Sequence, residues 1–117
     1  MTKSYSNRDL CLSYLKMYSE KDLNGIESMF SDKIVLRDWK IRVTGKENAL
    51  KETRINFEAA NTIEIEVLST LEDKNTVAAE LKINVNNTEE LFVVDVITFN
   101  SESQIESIRA YLGRGDS

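Results

Sequence analysis

No histidine occurs among the 117 residues, and there is one cysteine, Cys11. The missing histidines remove the usual general base, the Ser-His and Cys-His nucleophile systems and the commonest zinc ligand. Any acid–base chemistry must therefore rest on carboxylates, tyrosine, lysine or arginine. A single cysteine excludes an internal disulfide. On helical spacing Cys11 falls among Leu12, Tyr14 and Leu15, so it reads as a small core residue. The four glycines, Gly25, Gly45, Gly113 and Gly115, form no Gly-rich phosphate loop, which argues against nucleotide hydrolysis. No apolar run approaches the roughly 18 residues of a spanning helix, and the start, Met1–Asn7, lacks the apolar segment of a secretory signal. A cytoplasmic protein without metal or cofactor is the expectation.

What is present describes a globular chain. Hydrophobic residues make up 41% and charged residues 30%, with 15 basic against 20 acidic side chains and a net charge of −5. That is enough apolar material for a core, and a length within the range of about 100–150 residues predicts one domain, 1–117. A mildly acidic, well-mixed surface makes nucleic acid and anionic membrane poor partners.

Apolar side chains at Leu10, Cys11, Tyr14, Leu15, Met17 and Tyr18 predict an amphipathic helix over 7–20, started by Ser6 or Asn7. Leu23, Ile26 and Phe30 share a face of a shorter helix capped by Asp22. Thr44 to Glu47 has the spacing of a capping box and predicts a third helix that continues through Leu50, Thr53, Arg54 and Phe57. Between them, the β-branched and aromatic stretch 34–43 predicts a strand or strand pair. From residue 62 the period becomes two, with Ile63, Ile65 and Val67, then Val77, Ala79, Leu81, Ile83 and Val85, alternating with polar residues. Further strands are expected near 90–99 and 104–112, separated by turns at 72–75, 86–88 and 100–103. Helices followed by an antiparallel meander make an α+β arrangement, with a frayed tail after Tyr111.

The segment from Leu91 to Phe99 is the most informative, because Asp95 stands at the centre of an otherwise apolar strand. Alternation puts it on one face with Leu91, Val93, Ile97 and Phe99, where loss of water should raise its pKa. Asp95 then either serves a site as a neutral acid or is structural, bonded to backbone amides or paired with Arg109. Tyr14 is either a site residue or an ordinary amphipathic helix tyrosine. Asp38, among Arg37, Trp39, Lys40 and Arg42, is either a site carboxylate or a solvent-facing partner of Arg37 or Arg42.

Several runs together carry a resemblance: Tyr14 to Tyr18, Asp22-Leu23, Ile26, Met29 to Asp32, Val35, Asp38, Gly45-Lys46-Glu47, Asp95 to Phe99, Ile105 and Ala110-Tyr111-Leu112. Over nearly the whole chain they resemble the ketosteroid isomerase and polyketide cyclase (SnoaL-like) branch of the nuclear transport factor 2-like (NTF2-like) superfamily. The resemblance implies a cone-shaped, cystatin-like roll of three N-terminal helices on a curved, mixed, mostly antiparallel sheet. It implies no cofactor. It also places Tyr14 and Asp95 as oxyanion-hole donors and Asp38 as general base, the arrangement for which ketosteroid isomerase is the worked case.

The expected site is a hydrophobic pocket between the helices and the sheet. Besides the catalytic trio Tyr14, Asp38 and Asp95, its lining would comprise Leu15, Tyr18, Phe30 and Phe57 from the helical side, with Leu81, Val93 and Ile97 from the sheet. The ligand would be a small apolar ring compound carrying a carbonyl or phenol. Two other readings stand beside this one. A non-catalytic binding or scaffold domain would form a homodimer through the outer sheet stripe of Phe92, Val94 and Val96. An epoxide hydrolase-like site would use Asp38, Asp95 and Arg109 to activate water, which requires Arg109 to enter the cavity.

Overall fold

The computed structural model of the protein describes residues 5–116. The helices are α1 (Asn7–Ser19), α2 (Leu23–Met29) and α3 (Lys46–Ala59); the strands are β1 (Phe30–Arg37), β2 (Arg42–Thr44), β3 (Ile63–Asp73), β4 (Thr76–Val85), β5 (Glu89–Phe99) and β6 (Ile105–Leu112). The six strands form one mixed sheet in the order β2-β1-β6-β5-β4-β3. Only β1 and β6 run parallel; every other neighbouring pair is antiparallel.

Helix α1 begins where Ser6 accepts a hydrogen bond from the Asp9 amide at 3.0 Å. It ends in a Schellman turn: the Asp22 amide donates to the Met17 carbonyl and the Lys21 amide to the Tyr18 carbonyl. The left-handed residue of that turn is Lys21, at φ 57. Its ammonium group donates to the carbonyls of Ala60 and Asn61, so the end of α1 is tied to the end of α3. Asp22 caps α2 through the Gly25 amide at 3.0 Å, as expected.

The capping box expected at Thr44 does not form. Thr44 belongs to β2 and pairs with Val35, and the N-cap is Gly45, which has no capping side chain. The start of α3 is held instead by the Gly45 amide, which donates to the Ile34 carbonyl at 2.8 Å, and by Asn48, whose side chain donates to the Thr44 carbonyl at 3.0 Å. At φ 91 and ψ 145, Gly45 occupies backbone space that side-chain-bearing residues rarely enter.

The expected meander is present, with left-handed residues Lys74, Asn86, Asn87 and Ser103 at its turns. The tail does not fray directly after Tyr111: β6 reaches Leu112, the Gly113 amide donates to the Phe92 carbonyl, and Gly115 lies against the Phe92 ring. One face of the sheet carries Val77, Leu81, Ile97, Phe99, Ile105 and Ile108 against Cys11, Leu15 and Ile26 of the helices, and this is the core. No described helix is long and apolar enough to cross a membrane.

Candidate functional site

Strand parity decides what faces the helices. Along β5, Val93, Asp95, Ile97 and Phe99 are buried, and their neighbours point to the other side. Asp95 is 9% exposed and accepts a hydrogen bond from no described residue. Across the sheet it is opposed by Ala79 on β4 and Ala110 on β6. The acid is thus flanked by two small side chains, and the cavities of the described residues lie elsewhere, at Ser19–Lys21 with Asn61–Glu64 and at the Phe92 end of β5. Burial, and then the negative charge of Asp38, push its carboxyl from 3.8 up to about 7.

Tyr14 projects from α1 to the same interior and is 4% exposed. Its ring packs at 6.0 Å from that of Tyr18 and at 6.2 Å from that of Phe30; the Tyr18 ring meets Phe57 of α3 edge-on at 4.9 Å. Burial holds the Tyr14 hydroxyl well above its ordinary value, with the charges of Tyr18 and Asp95 adding to the effect. Tyr18 is raised chiefly by burial as well, opposed by a 3.1 Å hydrogen bond from Asn56 to its hydroxyl; the charges of Asp95 and Asp38 raise it further. Cys11 is pushed up to about 12, by burial first and then by the charge of Asp95. Asp95, Tyr14, Tyr18 and Cys11 therefore share one field inside the fold, and the charge of Asp38 reaches both Asp95 and Tyr18.

Asp38 sits at the mouth of the β1–β2 hairpin. Its Oδ1 accepts from the amides of Lys40 at 2.7 Å and Ile41 at 2.8 Å, while its own amide donates to the Ile41 carbonyl at 2.9 Å. This is an Asx turn closing the hairpin, and neither Arg37 nor Arg42 pairs with it. Oδ2 has no donor among the described residues.

The other expected lining residues are placed as follows. Leu15, Phe30, Phe57, Leu81, Val93 and Ile97 are all buried, and Tyr18 is half-buried. All but Val93 and Tyr18 belong to the buried core cluster itself, and Tyr18 packs against it. Arg109 is the residue the structure removes from the site. It pairs with Val96 across β5 and β6 and donates to Thr98 Oγ1 at 3.3 Å, so it lies on the outer face, away from Asp95. Neither the Asp95–Arg109 pair nor an Asp38–Asp95–Arg109 water-activating triad forms. The register decides this, because Arg109 is one residue removed from Ala110, the inward partner of Asp95. Asn56 and the flanking alanines were missed, since only cross-strand and helix–helix placement brings them to the site.

The sequence matches no protein-family model and no curated protein. Solved structures share its architecture. An NTF2-like protein of unknown function from Cytophaga hutchinsonii aligns with a TM-score of 0.80 at 16% identity, over 97% of this chain and 95% of its own. A candidate ketosteroid isomerase from Kribbella flavida aligns with a TM-score of 0.80 at 15% identity, over 95% and 80%. The epoxide hydrolase/cyclase-like enzyme SalBIII, with a role in pyran ring formation in the polyether salinomycin, aligns with a TM-score of 0.80 at 21% identity, over 92% and 90%. At such identities the likeness is one of fold, and the chain has the NTF2-like α+β fold.

Proposed function

We propose that the protein binds a small apolar ring compound bearing a carbonyl or phenol between its helices and the inner face of a cone-like curled sheet, and that it acts on this ligand by acid–base chemistry. The observation that carries the reading is the setting of Asp95: a carboxyl raised to about 7, flanked by Ala79 and Ala110, in the field of the buried Tyr14. A protonated Asp95 and the Tyr14 hydroxyl would both donate to a ligand oxygen. With a carbonyl substrate, Asp38 Oδ2 would take a proton from the carbon beside the carbonyl. The C–H electron pair would become a C=C bond, and the carbonyl oxygen an enolate held by the two donors. Asp38 would then return the proton to a second carbon, completing an isomerisation. The function resembles that of ketosteroid isomerases and polyketide cyclases, and solved structures of the same fold that carry such names support it.

The test is a fluorescence titration with a naphthol at pH 6, on the unaltered protein and on Tyr14→Phe and Asp95→Asn. Binding with ionisation of the naphthol, lost in both variants, is expected. Binding indifferent to both changes would overturn the reading.

A second reading is favoured by Asp38 Oδ1, which is already committed to the hairpin turn, and by the ring contacts that fill the interior. Under it the protein is a non-catalytic binding or scaffold domain that forms a homodimer through the outer sheet face. Sedimentation velocity at micromolar concentration tests it, and a monomer would count against it.

A further inference from the structure

Arg42, Arg37 and Arg109 stand level with one another on β2, β1 and β6, in a row on the outer face of the sheet. Like charges so placed repel. Among the described residues no carboxylate comes within 4.0 Å of any of the three, although the chain has 20 acidic residues against 15 basic ones. Asp38, next in sequence to Arg37, is turned to the amides of its own hairpin. The side chains lean apart as the repulsion requires. Arg37 lies over the ring of Tyr111 at 5.3 Å and donates to its hydroxyl at 2.9 Å, towards the end of β6. Arg109 reaches the opposite way, to Thr98 Oγ1 beside Ser107, at 3.3 Å. Its Nε is buried without a hydrogen-bond partner, so the chain itself leaves this guanidinium unsatisfied.

We infer that this row is an anion site, and that it takes the phosphoryl group of a small phosphate ester. The charge count selects the group. A carboxylate brings one negative charge to three cations, whereas a phosphoryl group brings close to two, with three acceptor oxygens that several guanidinium forks can share. Such a group set over the row would draw Arg37 and Arg109 back towards each other and give the orphaned Nε an acceptor. Only side chains need move, because the register already fixes the three backbones side by side. Arg42 is exposed and the other two are half-buried, so the row is open to a ligand from outside. The Tyr111 ring, 47% exposed beside the row, offers a surface for the organic part of the ester. This site lies behind the sheet from Asp95 and does not rest on the acid–base reading above.

The test is isothermal titration of the whole chain at constant ionic strength with inorganic phosphate, phenyl phosphate and acetate. Both phosphates should bind, phenyl phosphate the more tightly, and acetate about tenfold or more weaker than either. Arg37→Met, Arg42→Met and Arg109→Met should each weaken phosphate binding by about tenfold. Arg42 is exposed, so Arg42→Met keeps the test valid should Arg109→Met fail to fold. Absence of phosphate binding, or binding that all three variants retain, overturns the site. Acetate bound as well as phosphate overturns the choice of a phosphoryl group, and inorganic phosphate bound as well as phenyl phosphate overturns the ester in favour of the free ion.

Discussion

Asp38 and Asp95 are coupled through space: the charge of Asp38, whose Oδ1 is fixed by the amides of Lys40 and Ile41, is the second cause after burial of the high pKa of Asp95. One carboxylate is held in a surface turn with two amide donors. The other is enclosed with none. A pair so divided has the form that general acid–base work requires, and it has measurable consequences whether or not catalysis occurs.

The first concerns stability and pH. Asp95 holds a proton in the folded state up to about 7 and in the unfolded state only to about 3.8. Its contribution is therefore fully present below pH 3.8 and lost as pH rises towards 7, after which it is constant. At about 1.4 kcal/mol per pH unit, the loss over that window is on the order of 4 kcal/mol. Urea unfolding at pH 4.5 and 7.5 should show it for the unaltered protein, and Asp95→Asn should remove most of the difference. Equal pH slopes in both would contradict a protonated Asp95.

Asp38 separates structure from chemistry. Asp38→Ala deletes both turn hydrogen bonds and should cost about 1–2 kcal/mol in chemical denaturation, whereas Asp38→Asn keeps an acceptor and should cost less. If Asp38 is also a base, Asp38→Asn will remove turnover of a β,γ-unsaturated ketone while the fold survives.

The small side chains beside Asp95 can be tested by enlarging one. Ala110→Leu should abolish naphthol binding, at a stability cost of about 1–3 kcal/mol for overpacking. Binding retained in Ala110→Leu would mean that the ligand sits elsewhere.

The Cys11 thiol, pushed up to about 12, should be inert in the native protein. At pH 8, an aromatic disulfide reagent should react with it only after denaturant is added. Rapid native reaction would show that the interior opens readily to solvent.

Gly45→Ala finds no atom within 4 Å of the added carbon, yet φ 91 remains. The cost should come from the backbone alone, about 1–3 kcal/mol. Thermal unfolding measures it, and an unchanged midpoint would mean that α3 can begin another way.

The helices and the meander were legible in the sequence because their signals are local. Ser6 and Asp22 cap as their side chains imply, and the alternation along β3, β4 and β5 reports which residues are buried. What escaped depends on distant pairing or on competition between neighbours. Thr44 has the right side chain for a cap, but pairing with Val35 claims it for β2, and the cap passes to Gly45. Phe30, expected on the face of the second helix, instead ends it and opens β1, so the strand starts ahead of the stretch 34–43. Asp38 carries an apparent choice between two arginines, and the nearer amides of Lys40 and Ile41 win because a short side chain reaches its own backbone first. Asp95 was identified from its apolar neighbours alone; Ala79 and Ala110 beside it required the register.

The parallel pairing of β1 with β6 also shapes how the chain folds. Arg37 meets Arg109 across more than half of the sequence, while β3, β4, β5 and β6 each reach their neighbour through a short turn. The entropy of closing so long a loop favours zipping the meander first and adding β1 and its hairpin last. On a ribosome, the inner face carrying Asp95 would stay uncovered on the β1 side until β6 emerged. Mutations in the β3–β4 turn should therefore slow folding, whereas mutations at the β1–β6 seam should mainly quicken unfolding.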